Sequence, residues 1–180
     1  MTSKDSNIFT DPPEGLGEDE YYFGTFVVGI GGMDGIEVAR AFAVAGNRLL
    51  EAAENQRESW EAAYPILFCY RHALELYLKA VLPKSERNHS LGNLLKALSP
   101  HLAGRYPEDQ VAWLLGCIAE FDRVDPKSTL FRYHDGLSSS YRKGEKPDPE
   151  LWVDFKNLRR STAKMFQGLE RIRLLQHRIP

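Results

Sequence analysis

The sequence predicts an all-α protein, an antiparallel up-and-down bundle of about five helices with at most one short β-hairpin. Three observations support this prediction. Apolar residues recur three and four positions apart in five separate segments, no strand–helix–strand alternation occurs, and no internal repeat is found. The 180 residues, of which 43% are hydrophobic and 27% charged, are enough for one domain with a substantial core.

The first twenty residues differ in composition from the rest of the chain. They hold one lysine and six acidic residues, a net charge of −5, whereas the whole chain carries −2, which leaves +3 for the remainder. Prolines and glycines interrupt this segment, so we expect residues 1–20 to be a disordered acidic tail and residues 21–180 to form one domain. The tail suits a solvating leader, and the alternative is an acidic segment that covers a basic groove.

Two helices are predicted in the first half of the chain. After a β-prone run from Tyr21 to Ile30, Asp34 is positioned to cap a helix that continues to about Arg57. The second helix spans the nearly apolar stretch from Tyr64 to Pro83. An apolar helix of this kind is typical of the centre of a bundle.

Three further helices are predicted downstream. Ser90 is positioned to cap a short third helix that Pro100 ends, and a fourth helix runs from about Pro107 to Arg123. The loop that follows contains one β-prone patch at residues 129–133. The last helix has an expected length of roughly 40 Å, so we expect its end to pack against another molecule, such as a second copy of the chain. Its heptad seam consists of Leu151, Phe155, Leu158, Thr162, Met165, Leu169, Ile172, Gln176 and Ile179.

The sequence lacks the residues that several classes of protein function require. The two cysteines, Cys69 and Cys117, lie in apolar helical patterns, so we expect buried thiols and a reducing, cytoplasmic location. No two of the five histidines have metal-ligand spacing on one helix, and neither G-x-S-x-G nor a complete phosphate-binding glycine motif occurs. The first residues have no apolar run after a basic start, and nowhere do eighteen apolar residues run together, so we expect no signal peptide and no membrane-spanning segment. We therefore expect no metal, no cofactor and no membrane contact.

A polar stripe interrupts the apolar second helix. Arg71, Glu75 and Lys79 are spaced four residues apart, and His72 lies in the same arc. A ladder of i, i+4 ion pairs suits a solvated helix face. The alternative is that this stripe forms the wall of a binding groove.

A second polar cluster, Arg132, Tyr133 and His134, favours the binding groove. Arginine offers a planar fork for phosphate, and tyrosine or histidine offers a surface on which an unpaired base can stack. We therefore predict that these three residues, together with Arg71 and Lys79, bind RNA or a nucleotide.

The order of four segments resembles that of the HEPN superfamily, helical domains associated with nucleotide or RNA handling in prokaryotes. The segments are FCYRHALELYLKAVL, HSLGNLLKAL, EFDRVDPKSTLFRYHDG and LWVDFKNL, and the resemblance covers roughly residues 36–176. It implies an antiparallel α-bundle that often dimerises, with the functional cleft at the dimer interface. Many members of the superfamily are metal-independent ribonucleases or toxins of defence and toxin–antitoxin systems, and others act in binding or assembly.

The nuclease members carry an R-x(4–6)-H motif, in which the arginine holds phosphate and the histidine assists attack by a ribose 2′-hydroxyl. In this sequence Arg132 and His134 are only two residues apart, and they are the candidate catalytic residues. Arg171 and His177 have the right spacing but point about 120° apart on a helix. His89 occupies the place of a common family histidine at the start of the third helix. The candidate nucleic-acid-binding residues are Arg71, Glu75, Lys79, His89 and Tyr133.

Two hypotheses of function follow from the sequence. The first is a homodimeric HEPN-like protein that binds RNA or a nucleotide, with a metal-independent ribonuclease or toxin as its catalytic form and an antitoxin as a further partner. The second is a non-catalytic homodimer that recognises a partner protein through the acidic tail or the last helix.

Overall fold

The computed structural model describes residues 34–58, 60–82, 89–133 and 151–176, all within one compact unit, Met33–Pro180. Five α-helices and one 3-10 turn, Trp60–Ala62, make up most of these residues, and no strand occurs among them, which confirms the predicted helical bundle. No helix in these ranges is long and apolar enough to cross a membrane. The predicted tail, its boundary at residue 20 and the β-prone run from Tyr21 to Ile30 lie outside the described residues. The helices are α1 (Gly35–Gln56), α2 (Ala63–Val81), α3 (Leu91–Leu102), α4 (Glu108–Val124) and α5 (Phe155–Gln176).

Helix α2 lies at the centre of the bundle. Helix α1 packs along it, α3 and α5 contact it on other sides, and α4 packs against α3 and α5. Because neighbours cover α2 on several sides, most of its residues are buried, which explains the nearly continuous apolar sequence. Its buried residues are Ile66, Leu67, Cys69, Tyr70, Arg71, Ala73, Leu74, Glu75, Tyr77, Leu78 and Val81.

Helix α1 begins and ends close to where the sequence predicts. Asp34 forms a capping box, in which its carboxylate accepts from the Glu37 N–H and the Glu37 carboxylate accepts from the Asp34 N–H at 3.3 Å. The Asp34 carboxylate also accepts from the Ile36 N–H. Arg57 closes the helix in the left-handed conformation, with φ of 53°. Both predicted boundaries of α1 are therefore confirmed.

Helices α1 and α2 approach closely at Gly46. A Cβ atom at this position would lie 2.8 Å from Cε1 of Tyr70, so only glycine leaves room for the tyrosine ring. The Tyr70 hydroxyl then donates to Oδ1 of Asn47 at 2.8 Å. Because Gly46 of α1 has no side chain, the large Tyr70 side chain of α2 can pack against α1.

Two helix boundaries differ from the prediction. Pro100 does not end α3, which continues to Leu102, because only the last turn follows the proline and little hydrogen bonding is lost there. Helix α5 begins at Phe155 rather than at Leu151, because the carboxylate of Asp154 accepts from the Asn157 N–H and caps the helix there. The 22 described residues of α5 correspond to about 33 Å, and the far end of the predicted helix, residues 177–179, lies outside the described residues.

The heptad seam of α5 faces the core of its own chain. Thr162, Met165, Leu169 and Ile172 are buried, and the last three belong to the main hydrophobic cluster. The predicted periodicity is therefore confirmed as a buried helix face, and these four residues are not available to a second copy. The exposed apolar residues of α5 lie near its end, at Leu174 and Leu175.

Candidate nucleic-acid interface

The polar stripe of α2 is not a solvated face. Arg71 and Glu75 are each 1% exposed, although the i, i+4 spacing suggested an exposed ladder. The expectation of an open stripe or groove wall is therefore wrong for these two side chains. A buried charge is tolerated only where it is paired and hydrogen-bonded, and both conditions hold here.

The Arg71 guanidinium joins three elements of the fold. Its Nη1 lies 3.2 Å from Oε2 of Glu75 on the same helix. Its Nε lies 3.1 Å from Oδ2 of Asp125 and donates to the Asp125 carbonyl at 3.2 Å. Its Nη2 donates to the carbonyl of His89 at 3.0 Å. Because the rigid fork of arginine reaches all these acceptors at once, α2 is tied to the start of α3 and to the end of α4.

The second carboxylate oxygen of Glu75 extends this network to the surface. Oε1 accepts from Nζ of Lys79 at 2.8 Å and lies 2.7 Å from Nδ1 of His89. Burial acts to raise the pKa of Glu75, but the hydrogen bonds from Lys79 and His89 hold that pKa below its ordinary value. The His89 side chain is 74% exposed, so the network meets solvent at this histidine.

Asp125 uses its other oxygen to fix the turn that follows α4. Oδ1 accepts from the N–H groups of Thr129 at 2.7 Å and Leu130 at 3.1 Å, while Oδ2 faces Arg71. Ser128 adopts the left-handed conformation, with φ of 57°. The Asp125 carboxylate takes the amide groups that a strand would use, so the β-prone patch at residues 129–133 forms a turn.

The turn has one side buried in the core and one side exposed to solvent. Leu130 and Phe131 are buried beside Leu67 of α2. Arg132 and Tyr133 point outward, and the guanidinium carbon of Arg132 lies 5.3 Å from the centre of the Tyr133 ring. Tyr133 is 53% exposed. An arginine and an aromatic ring are therefore held together on the surface by a turn that is anchored in the core.

The structure unites most of the predicted site residues in one connected set. Arg71, Glu75, Lys79 and His89 form the ion network, and Asp125 connects it to the turn that carries Arg132 and Tyr133. His134, the other candidate catalytic residue, lies outside the described residues, as does His177. The set divides into a buried part that holds the turn and an exposed part that can meet a ligand.

Sequence reasoning missed Asp125. The available signal was an aspartate directly after a helix, followed at three and four residues by Ser128 and Thr129, which is typical of a side chain that bonds the next turn. The partner of Asp125 was not predictable in the same way. Arg71 lies 54 residues earlier, and only the packing of α2 against the end of α4 brings the two together.

A cavity of 240 Å³ lies beside the turn, and no sequence motif predicts it. Cys117 lines it and is half-buried, so the expectation of a buried thiol is confirmed for Cys69 only. Burial raises the pKa of the Cys117 thiol. The walls come from one residue of α2, from α4, from the turn and from the start of α5: Leu67, Cys117, Glu120, Phe121, Arg123, Val124, Phe131, Leu151, Trp152, Val153, Asp154, Asn157, Leu158, Ser161, Thr162 and Met165.

Neither a metal centre nor a known relative identifies the site. Within the described ranges, no three His, Cys, Asp or Glu side chains lie close enough to hold a metal ion. Comparison of the chain with family models, with curated proteins and with solved structures gives no match. The resemblance to the HEPN superfamily therefore stays a prediction from sequence motifs.

Proposed function

We propose that this chain is a HEPN-like protein that binds RNA, or a nucleotide unit of it, through Arg132 and Tyr133. The observation that carries the proposal is the exposed arginine held over the exposed tyrosine on an anchored turn. A guanidinium can grip a phosphate while an adjacent aromatic ring stacks on a base. The fixed turn lowers the entropy that is lost when a ligand binds.

In this proposal Arg71 and Glu75 act as positioning residues. Both are buried, and their polar atoms already contact Asp125, His89 and Lys79. They hold the turn in place and do not touch RNA. Lys79 and His89 lie at the exposed edge of the same network, where a phosphate can approach them.

The catalytic form of the proposal is a metal-independent endoribonuclease of a prokaryotic defence or toxin–antitoxin system. Arg132 would hold the scissile phosphate, and His134 would accept the proton of the attacking ribose 2′-hydroxyl. The 2′ oxygen forms a bond to phosphorus while the bond to the 5′ oxygen breaks, and the 5′ oxygen takes a proton from water. The products are a 2′,3′-cyclic phosphate on one fragment and a 5′-hydroxyl on the other. This chemistry is supported by the residue types and by the family resemblance.

Retention of labelled single-stranded RNA at low salt tests the binding function. We expect retention by the wild type, loss with Arg132→Ala and Tyr133→Ala, and no change with Arg48→Ala, which removes an exposed arginine of α1. Absence of retention by the wild type contradicts the proposal. Equal losses of RNA retention in Arg132→Ala and Arg48→Ala would show that general surface charge, and not the Arg132 site, retains the RNA.

Cleavage assays in the presence of a chelator separate the catalytic form from simple binding. An endoribonuclease of this kind yields cyclic phosphate ends without added metal, and His134→Ala abolishes the products while Arg132 and Tyr133 still retain the RNA. Cleavage that is unchanged in His134→Ala would remove this histidine from the chemistry. Binding without any cleavage would leave the non-catalytic form of the proposal.

One observation favours the second hypothesis, a homodimeric interaction module. Leu174 and Leu175 are 50% and 48% exposed near the end of α5, where the sequence predicts contact with another molecule. Two adjacent exposed leucines on a helix are a natural contact for an apolar surface of a second copy or a partner protein. A concentration series by light scattering measures whether the chain dimerises.

A further inference from the structure

Aromatic side chains form much of the wall of the cavity beside the turn. Phe121 of α4, Phe131 of the turn and Trp152 ahead of α5 each contribute a ring. The volume of 240 Å³ lies below the roughly 300–1,000 Å³ of sites for drug-sized ligands and above the roughly 150 Å³ cavity that holds benzene. A planar system of one or two rings therefore fits the space.

One arginine lines this cavity, and a second contacts a lining residue. Arg123 of α4 lines it directly. Arg160 of α5 donates from Nη2 to Oδ1 of Asn157 at 3.0 Å, and Asn157 is itself a lining residue. Lys156 is exposed one turn before Arg160 on the same helix. Arg123 in the lining and Arg160 beside Asn157 are guanidinium groups that suit the phosphate of an aromatic ring that carries one.

Two carboxylates complete the lining. Glu120 and Asp154 both border the cavity, and Asp154 also accepts the Asn157 N–H as the cap of α5. Because a carboxylate only accepts hydrogen bonds, it pairs with the exocyclic amino group of adenine, cytosine or guanine. Uracil has no amino group and donates only from its ring N3–H, so a lining with two carboxylates favours an amino-bearing base.

We infer that this cavity is a pocket for one unpaired, amino-bearing base of the bound RNA, with the flanking phosphates at Arg123 and Arg160. The inference rests on the proposed function and adds a second contact to it. Trp152 is 88% exposed although it lines the cavity, so most of its surface is accessible to a base.

The pocket adjoins the proposed phosphate contact. Phe131 lines the pocket, and the next two residues of the turn, Arg132 and Tyr133, form the exposed pair. One strand of RNA can therefore place a base against Phe131 and an adjacent nucleotide against Tyr133. The Asp125 carboxylate fixes both contacts, because it holds the amide groups of Thr129 and Leu130 directly before them.

A matched pair of substitutions on α5 tests the pocket. Ser161 lines the cavity, so Ser161→Trp fills it, whereas Ala163 is exposed and Ala163→Trp adds the same ring outside it. Affinity is measured with labelled octaadenylate and octauridylate. We expect the wild type to prefer octaadenylate, Ser161→Trp to lose about 10-fold in octaadenylate affinity, and Ala163→Trp to stay within about 2-fold.

Equal octaadenylate affinity in the two tryptophan variants would overturn the pocket and leave the proposed function standing. Absence of RNA binding by the wild type would instead overturn both. Should Ser161→Trp not fold, alkylation of the wild type supplies the second measurement. Octaadenylate is expected to slow iodoacetamide modification of Cys117 more than octauridylate does, with the buried Cys69 as an internal reference. An unchanged rate at Cys117 would overturn the pocket.

Discussion

Arg71 and Arg132 are the same residue type in opposite surroundings. Arg71 is buried, and its guanidinium is paired with Glu75 and Asp125 and bonded to the carbonyl of His89. Its charge is therefore not available to a ligand. Arg132 is exposed, and its guanidinium lies against the ring of Tyr133. A cationic residue in a sequence motif can therefore be assigned to a binding site only once it is known whether its side chain is buried or exposed.

The two arginines are nevertheless connected. Asp125 contacts Arg71 with one carboxylate oxygen and holds the turn that carries Arg132 with the other. In this account the buried arginine determines where the exposed one lies. Substitutions should therefore separate the two regions, since changes in the buried region affect stability and changes in the exposed region affect binding.

Arg71→Ala is expected to have the largest effect. The substitution leaves the buried carboxylates of Glu75 and Asp125 without their shared partner, which should lower the free energy of unfolding by about 3–5 kcal/mol. Denaturant unfolding measures this change. The control is Arg40→Ala, which removes an exposed ion pair with Glu170 and should cost less than about 1 kcal/mol. Similar losses in both variants would contradict a special role for Arg71.

Glu75→Gln should produce a smaller and pH-dependent effect. The pKa of Glu75 is lowered in the folded state, so its charge stabilises the fold above the ordinary value of 4.5 and this contribution is lost as the pH falls through the folded-state pKa. At neutral pH we expect the variant to be less stable by about 1–3 kcal/mol. The difference from the wild type should shrink below pH 4.5. Denaturant titrations at several pH values measure this difference. A difference in unfolding free energy that does not change with pH would contradict a stabilising charge on Glu75.

Tyr133→Ala is expected to change binding far more than stability. The side chain is exposed, so the free energy of unfolding should stay within about 0.5 kcal/mol of the wild type. Loss of stacking should weaken RNA binding by about 1–3 kcal/mol. Thermal unfolding and RNA titration of the same preparation measure both quantities. Tyr133→Phe keeps the ring and should retain most of the affinity, and an equal loss in the two variants would contradict stacking.

Leu174→Glu and Leu175→Glu should have the smallest effect on the isolated fold. Both positions are exposed, so we expect changes in unfolding free energy within about 0.5 kcal/mol. If the end of α5 is the dimer contact, light scattering will show a dimer for the wild type and a monomer for these variants. A wild type that stays monomeric at every concentration would remove dimerisation from both proposed functions.

Local patterns predicted much of the fold. The cap at Asp34, the central position of α2 and the apolar periodicity of α5 depend on residues close together in sequence, and they are confirmed. Exposure of the α2 stripe was predicted wrongly because i, i+4 spacing is the same for exposed and buried ion pairs. The burial of Arg71 depends on its contacts with Asp125 and the His89 carbonyl, which come from other segments of the chain. The cavity likewise requires four separate segments to meet, so no short motif indicated it.

The salt dependence of RNA binding decides whether Arg132 contacts a phosphate. Affinity for a single-stranded RNA is measured over a series of salt concentrations for the wild type and for Arg132→Ala. We expect weaker binding by the variant and a slope of log affinity against log salt that is smaller by about 0.7, the value for one lost phosphate contact on a single strand. Identical slopes and affinities in the two proteins would contradict this contact.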